Sequence, residues 1–311
     1  MSGTNKRGFI TIATGNEKYF SLARNLLFSY RQFSKDPLPF ALITDRENEY
    51  TTEFDDVVII SDSSNNYMDK LKLYKYTPYD ETIFIDADSL AYRDLNAYWD
   101  YFNDAGDFSC FGNVYFDIDS KKGWFFNDGL AEYKDKISFI PSFNGGIYFL
   151  RKTQTCKSIF EKAIYFAENY NNYTFAMFEK PADEPVLALS MALHDCKPVD
   201  KYPQSKVFYP ASKRITADIF KQKVTYFSKS GSDEKTAILI HWANFNTKKA
   251  LYKFEVEKLM LLCRGGGLSF LEKVLYVSKL RYYHYASYDL LNLIYRESNR
   301  VLGKIKNEAF R

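Results

Sequence analysis

The order of apolar segments between Gly8 and Ile85 is the feature that most limits the fold. Gly8–Thr14 has the composition of a short buried strand, and the apolar residues from Tyr19 to Tyr30 recur at helical spacing. Three further runs read as buried strands: Pro39–Thr44, Asp56–Ile60 and Thr82–Ile85. This alternation of strand and helix predicts an α/β fold with a mainly parallel central sheet flanked by helices.

The rest of the chain continues the pattern less regularly. The sequence predicts strands over Phe108–Phe111, Gly146–Leu150 and Ala237–Trp242, and helices over Tyr67–Tyr76, Thr153–Tyr170 and Glu184–Leu193. No element is assigned between Pro198 and Ser232. The glycine run Gly265–Gly267 indicates a hinge. We therefore expect a catalytic domain over residues 1–264 and a basic, Tyr-rich helical tail over residues 265–311.

The composition is that of a globular chain. Of its 311 residues, 46% are hydrophobic and 26% charged, which excludes a disordered protein or a disulfide scaffold. The four cysteines lie far apart and form no CxxC pair, which favours reduced thiols in a cytoplasmic protein. A net charge of +3 gives no reason to expect nucleic acid as a partner. No apolar segment is long enough to predict a signal peptide or a membrane span.

Two aspartates follow the predicted strand that ends at Ile85. Side chains two positions apart in an extended chain point to the same side, so Asp86 and Asp88 are expected to converge at the carboxyl edge of the sheet. Two such carboxylates repel each other unless a cation lies between them, and hard oxygen ligands favour Mg²⁺ or Mn²⁺. The alternative is that both aspartates only cap the turn after the strand.

Two other patterns are weaker. Asp117 and Asp119 have the same spacing, but Lys121 and Lys122 follow them and can neutralise their charge. This segment is predicted to be a surface turn and is the second choice for the metal. No GxGxxG motif follows the first strand, which argues against a dinucleotide oxidoreductase.

Lys70-Leu71 and the segment Phe84–Leu90 resemble the centre of the GT-A glycosyltransferases, most closely family 8, which includes glycogenin and the bacterial lipopolysaccharide galactosyltransferases. The similarity covers about residues 8–250 and extends to Ala13–Asn16, Phe143–Ile147, Asp183–Leu187 and His241. It implies the GT-A fold, a Rossmann-like nucleotide-diphospho-sugar transferase fold. It also implies an enzyme that uses Mn²⁺ or Mg²⁺ to move a hexose from a nucleotide-sugar, UDP-hexose above all, to an acceptor. The implied acceptor is a glycan, a lipid-linked molecule or a protein, and the implied reaction retains the anomeric configuration of the sugar.

The resemblance implies roles for individual residues. The implied metal ligands are Asp86, Asp88 and His241. The implied nucleotide-binding residues are Ala13, Thr14, Tyr19 and Asp45. The implied contacts to the donor sugar and its phosphates are Lys70, Asn144, Gly145 and Lys248. The implied catalytic residues are Asp183 and Glu184.

The sequence departs from the family pattern in two places. After His241 the family's glycine and Pro-Trp pair are missing and its lysine comes one position late, so Lys249 is an alternative to Lys248 as the diphosphate contact. Glu184 stands where the family has glutamine. A second carboxylate beside the donor could act as a general base, which would suit an inverting reaction, so the stereochemistry stays open.

Other interpretations of the site also stay open. Asp183 and Glu184 can be acids that a helix dipole favours, with Pro185 at an early helical position. His241 can be a structural histidine. The whole chain can be a nucleotidylyltransferase on a similar sheet, or a non-catalytic GT-A-like binding protein.

The tail has two interpretations. An apolar stripe begins at Phe270, and three basic residues flank it: Lys273, Lys279 and Arg281. Such a segment, over residues 268–311, can lie at the inner face of a membrane as a peripheral contact. It can instead pack on the domain or on a second copy in a homodimer.

Overall fold

A six-stranded sheet forms the centre of the computed structural model, which describes residues 6–116, 132–172, 181–200, 206–265, 267–287, 289–291 and 294–295. Its strands are β1 (Arg7–Ala13), β2 (Phe40–Thr44), β3 (Asp56–Ile59), β4 (Glu81–Ile85), β6 (Phe108–Tyr115) and β7 (Ile140–Arg151), in the order β3-β2-β1-β4-β7-β6. The first four run parallel, and β7 runs antiparallel to β4 and β6. The predicted mainly parallel sheet is confirmed.

Two smaller sheets lie outside the central one. One has the order β5-β12-β8, from β5 (Ser89–Ala91), β8 (Lys206–Phe208) and β12 (Leu239–His241). The other is antiparallel and has the order β11-β10-β9, from β9 (Ser212–Asp218), β10 (Lys223–Ser228) and β11 (Lys235–Thr236). Strands β8 to β10 lie where the sequence assigned no element. β9 has no buried residue, so no apolar alternation marks it.

Helices pack on both faces of the central sheet. The α-helices of the described residues are α1 (Glu17–Phe33), α2 (Leu73–Tyr76), α3 (Ala97–Tyr101), α4 (Gln154–Glu168), α5 (Asp183–Leu193), α6 (Ala250–Cys263) and α7 (Phe270–Glu272), which continues as a π-helix over Lys273–Val277. Alternate residues of the strands enter two cores, because successive side chains point to opposite faces. Phe9 and Ile83 pack with α1 on one face, and Ile10 and Phe84 pack with α4 and α5 on the other.

The predicted helix over Tyr67–Tyr76 is divided into two parts. Tyr67–Lys72 is a 3₁₀-helix, and α2 follows it. The buried Asp69 carboxylate accepts hydrogen bonds from Ser63 Oγ at 2.7 Å and from Ser64 N at 2.7 Å. These bonds tie the first turn to the preceding loop, and short 3₁₀ segments are common in such connectors.

The described part of the tail contacts α6. Arg281 pairs with both carboxylate oxygens of Glu257, each at 3.0 Å. The rings of Tyr276 and Tyr282 lie 6.1 and 5.7 Å from the ring of Phe254. In the residues that the structure describes, no helix is both long and apolar enough to pass through a bilayer.

Candidate functional site

A pocket of about 400 Å³ opens at the carboxyl edge of the central sheet. Strands β1 and β4 are parallel neighbours, so Thr14 and Asp86, which follow them, reach the same edge. The residues that line the pocket include Thr14, Tyr19, Tyr67, Lys70, Asp86 and Asp88. Several of the residues singled out in the sequence therefore share one cavity.

Asp86, Asp88 and His241 form a cluster beside this pocket. β5 pairs antiparallel with β12, which places Ser89 opposite His241 and brings the end of β12 to the two aspartates. The imidazole Nε2 lies 3.0 Å from Asp88 Oδ1 and 3.4 Å from Asp86 Oδ2. One ligand atom from each residue lies within 4.8 Å of the other two. The fold thus brings together the three predicted metal ligands.

The donor atoms of this cluster suit a hard divalent cation. Carboxylate oxygens are the ligands that Mg²⁺ and Mn²⁺ prefer, and imidazole nitrogen binds transition metals. Burial raises the pKa of Asp86; Lys70 and His241 oppose the effect, and the charge of Asp88 adds to it. A divalent ion would offset both burial and repulsion. Asp86, Asp88 and His241 are therefore the residues that could hold a metal ion.

Two glycines let β7 approach the cluster closely. A Cβ on Gly146 would lie 2.5 Å from His241 Nδ1, and one on Gly145 would lie 2.7 Å from Asp183 Oδ2. Neither separation leaves room for a side chain. The backbone oxygen of Gly146 also accepts a hydrogen bond from Asp86 N at 2.9 Å. The missing side chains thus allow β7 to hold Asp86 and to contact His241.

Lys70 lies among the acids of the site. Its Nζ donates to Asp86 Oδ2 at 2.9 Å and to the Gly145 oxygen at 3.0 Å, and lies 3.5 Å from Asp183 Oδ2. Burial alone would lower the pKa of Lys70, but the charges of Asp183 and Asp86 outweigh it and raise the pKa. Lys70 is therefore a permanent positive charge among these carboxylates.

Asp183 and Glu184 begin α5 on the other side of Lys70. Asp183 is buried and accepts a hydrogen bond from Tyr148 OH at 2.7 Å. Glu184 Oε1 accepts from Gly145 N at 2.7 Å and from Asn144 Nδ2 at 3.4 Å. Burial and the charge of Asp183 raise the pKa of Glu184. Both acids therefore bond to β7 in addition to occupying a helix N-terminus.

The predicted nucleotide-binding residues occupy different positions. Thr14 and Tyr19 line the pocket, and Thr14 Oγ1 donates to Asp69 Oδ2 at 3.1 Å. Ala13 is buried at the end of β1. Asp45 accepts a hydrogen bond from Gly15 N at 3.1 Å and pairs with Arg46 at 3.0 Å. Asp45 thus holds the loop after β1, whereas Thr14 and Tyr19 face the cavity.

Lys248 lies at the exposed end of the 3₁₀ turn Asn244–Lys248, which follows β12. Burial and the charge of Lys248 lower the pKa of Lys18, and Asp88 opposes this effect. Lys18 therefore lies close enough to Lys248 and to Asp88 for its charge to interact with each of them. The alternative residue, Lys249, places its Nζ 4.5 Å from the ring centre of Tyr209. An anionic ligand near Asp88 would be attracted by Lys18.

Several residues of the site were missed by the sequence analysis. Lys206 is buried at the start of β8 and donates to Asn144 Oδ1 at 3.0 Å. It lies in the segment without an assigned element, and no motif contains it. Tyr148 could have been found, because strand alternation places it two positions after Gly146. Lys18 belongs to no motif, although its neighbour Tyr19 is a predicted nucleotide-binding residue. The weaker pair, Asp117 and Asp119, lies outside the described residues.

Solved glycosyltransferases have a similar fold. The galactosyltransferase LgtC, in complex with donor and acceptor sugar analogues, aligns with a TM-score of 0.51 and 13% identity over 86% of this chain and 98% of that chain. Mouse xyloside xylosyltransferase 1, in its apo form, aligns with a TM-score of 0.47 and 12% identity over 77% of this chain and 98% of that chain. No protein-family model and no curated protein matches the sequence.

Proposed function

Because the chain has the GT-A glycosyltransferase fold, we propose that it is a metal-dependent hexosyltransferase similar to family 8. It moves a hexose from a nucleotide-sugar, UDP-hexose above all, to a glycan, lipid-linked or protein acceptor. A fold alone does not specify a reaction. The observation that carries the proposal is the cluster of Asp86, Asp88 and His241, whose ligand atoms lie within 4.8 Å of one another beside the pocket.

The pocket supports a nucleotide-sugar as the donor. Its volume of about 400 Å³ is typical of small-molecule sites. Thr14 and Tyr19 line it near β1, where the nucleotide would bind, and Lys70 and Asp86 line it near β4, where the diphosphate and sugar would bind. The LgtC structure holds donor and acceptor sugar analogues. The choice of UDP as the carrier follows from the sequence resemblance.

The charges of the site support cleavage of the sugar–phosphate bond, which leaves negative charge on the diphosphate. Mn²⁺ or Mg²⁺ held by Asp86, Asp88 and His241 would act as a Lewis acid toward that charge. Lys70 holds Asp86 through its 2.9 Å bond and keeps a positive charge beside it. Lys248, whose charge interacts with that of Lys18, is proposed to add electrostatic stabilisation toward the diphosphate.

Asp183 and Glu184 are proposed to act beside the donor sugar. Asp183 accepts a hydrogen bond from Tyr148 OH and lies 3.5 Å from Lys70 Nζ. Its role is to hold the Lys70 ammonium group in position. Glu184 is bonded to Gly145 N and stabilises the oxocarbenium-like transition state. Retention follows from the resemblance. A product of inverted configuration would instead assign the role of general base to Glu184.

Incubation with a set of UDP-sugars and Mn²⁺, with release of UDP and the anomer of the product measured, tests this proposal. We expect UDP release by the wild-type protein. Asp86→Ala should lower it by about a hundredfold or more, because several kcal/mol of charge stabilisation is lost. Asp104→Ala, at an exposed position after α3, is the matched control and should keep wild-type activity.

Three results would contradict the proposal in different ways. Unchanged activity in Asp86→Ala would show that a metal ion bound at Asp86 takes no part in the reaction. Pyrophosphate as the product would indicate a nucleotidylyltransferase. Binding of UDP-sugars without turnover of any of them would indicate a non-catalytic binding protein.

We also propose that the tail brings this cytoplasmic enzyme to the inner face of a membrane, near a lipid-linked acceptor. Its apolar side chains are exposed: Phe270 by 84%, Leu271 by 64% and Val277 by 62%. Lys273 and Lys279 lie in the same segment, and such residues attract anionic headgroups. An exposed apolar surface next to basic residues supports binding in the membrane interface.

Sedimentation with anionic liposomes at low salt tests the role of the tail. The full-length protein should sediment with the vesicles, and a variant truncated after Gly267 should remain in the supernatant. Full-length protein that stays in the supernatant would contradict the proposal. A full-length dimer that truncation converts to a monomer, with no vesicle binding, would assign the tail to a second copy instead.

A further inference from the structure

Lys206 is a buried cation for which the proposed reaction gives no role. It begins β8, and its side chain is 0% exposed. Its ammonium group donates to the backbone oxygen of Asn144 at 3.1 Å and to the side-chain Oδ1 of Asn144 at 3.0 Å. Burial lowers the pKa of Lys206 to about 8, against the charges of Asp86 and Glu184. Because burying a charged group is costly, we ask what the contact between Lys206 and Asn144 does.

Lys206 determines the orientation of the side-chain amide of Asn144. An ammonium group can donate a hydrogen bond but cannot accept one. The amide atom that faces Lys206 must therefore be the oxygen. The amide nitrogen then points at Glu184 Oε1, at 3.4 Å, which can accept its hydrogen. One orientation of the amide satisfies both neighbours, and the reversed orientation satisfies neither.

The orientation of Asn144 in turn sets the tautomer of His241. The imidazole Nδ1 lies 2.8 Å from Asn144 Oδ1. Because an amide oxygen only accepts, Nδ1 must carry the proton. In the neutral ring the lone pair is then on Nε2. Nε2 is the atom that faces the carboxylates, 3.0 Å from Asp88 Oδ1 and 3.4 Å from Asp86 Oδ2.

We propose that Lys206 is a positioning residue of the metal site: through Asn144 it keeps the proton of His241 on Nδ1 and presents Nε2 to the cation. The inference rests on the proposed function, because it requires Asp86, Asp88 and His241 to bind a divalent ion. Hydrogen-bond partners of metal-ligating histidines change metal affinity by about 10- to 100-fold when they are removed.

A purely electrostatic role for Lys206 predicts the opposite effect. A positive charge near the site repels a divalent cation, so removing it would tighten metal binding. If Lys206 acts by positioning, removing it weakens metal binding, because Asn144 can turn over and His241 can place its proton on Nε2. The sign of the change in affinity therefore distinguishes the two roles.

Titration calorimetry with Mn²⁺ alone, without nucleotide, measures that sign. Lys206→Met keeps a long unbranched side chain and removes the donor, and it should weaken Mn²⁺ binding by about tenfold or more. Lys206→Arg keeps a donor-only group and should recover most of that loss. In an Asn144→Ala background, Lys206→Met should cause no further loss, because its effect passes through Asn144. Circular dichroism verifies that each variant is folded.

A second measurement reads the tautomer of His241 directly. The chain has three histidines, so ¹⁵N NMR of the Mg²⁺-loaded wild-type protein can resolve each ring. We expect His241 to carry its proton on Nδ1, and we expect a mixture of tautomers in Lys206→Met. His194 is the internal control in both proteins. Its Nδ1 lies 2.8 Å from the backbone oxygen of Ser190, which requires a proton on Nδ1 whatever residue occupies position 206.

Two results would overturn the inference while leaving the proposed function intact. One is a proton on Nε2 of His241 and a metal-bound Nδ1 in the Mg²⁺-loaded wild-type protein. The other is a folded Lys206→Met variant that binds Mn²⁺ as tightly as the wild type or more tightly. Wild-type protein that binds no divalent cation would overturn the proposed metal site, and this inference with it.

Discussion

Single side chains at the site are held by several partners each. Lys70 bonds to both Asp86 and Gly145, and Asn144 bonds to both Lys206 and His241. Such groups have few alternative rotamers, and their neighbours leave little space. A single methyl group added here should therefore displace a ligand, whereas the same addition at an open position should have no effect.

Gly146→Ala should weaken Mn²⁺ binding by roughly tenfold or more, because ligand position controls affinity at metal sites. The new Cβ would lie 2.5 Å from His241 Nδ1 and would displace the imidazole. Gly267→Ala is the matched control, since a Cβ added there would meet no described residue other than its chain neighbours within 4 Å. Titration calorimetry compares the two variants. Equal affinity in both would contradict the close approach of β7 to His241.

At the level of elements, one carboxylate joins three neighbouring strands. Glu81 of β4 is paired in register with Arg7 of β1 on one side and with Arg151 of β7 on the other. Its oxygens lie 2.5 Å from Arg7 Nε and 3.0 Å from Arg151 Nε. Burial alone would raise the pKa of Glu81, but the bonds from Arg151 and Arg7 lower it. Cross-strand ion pairs of this kind stabilise a sheet modestly.

Glu81→Gln should lower the free energy of unfolding by about 1 kcal/mol at neutral pH. The folded protein holds the pKa of Glu81 below the unfolded value of about 4.3. This stabilisation is therefore present above that value and is lost as the pH falls through the lower, folded-state pKa. Urea unfolding of both proteins, from neutral pH down to about pH 2, should show a difference that shrinks in acid.

Glu161→Gln is the control for this pH dependence. It breaks an exposed pair with Lys157 on α4, at 3.5 Å, and pairs of this kind contribute little to stability. Its difference from the wild type should be small at every pH. A loss in Glu81→Gln that has the same size at neutral and acid pH would show that packing, and not charge, holds the three strands together.

At the level of the whole molecule, Glu257 of α6 bonds to several residues of the described part of the tail. Glu257 accepts hydrogen bonds from Arg281 at 3.0 Å, from Tyr276 at 3.2 Å and from Tyr285. Charge-assisted and bidentate bonds are among the stronger polar contacts in proteins. We therefore expect Glu257 to supply the main polar contacts between α6 and residues 276–285 of the tail.

Glu257→Ala should release the tail from α6 and leave the α/β domain folded. Limited proteolysis is expected to cut the variant faster than the wild type between residues 267 and 287, because the loss of a docking contact raises local opening. Glu161→Ala, at an exposed position of α4, serves as the control. Cleavage of Glu257→Ala at the wild-type rate would mean that the ring contacts with Phe254 are sufficient to hold the tail.

Local patterns in the sequence were sufficient for most elements of the sheet and for the aspartate pair. Strand runs such as Phe40–Thr44 are buried throughout, so composition alone marks them. β7 was found only from Gly146 onward, although it begins at Ile140, because Pro141 and Asn144-Gly145 interrupt the apolar run. Strand β9, which has no buried residue, has no comparable pattern.

The sequence by itself determined most strands of the central sheet and its longer helices, and that two aspartates follow β4, because period and residue type are local properties. Only the tertiary structure decided which distant side chains meet. His241 and Lys206 converge on Asn144 from 97 and 62 positions away. Their meeting depends on β12 lying between β5 and β8. That order is the outcome of packing the whole chain, so no short stretch of residues encodes it.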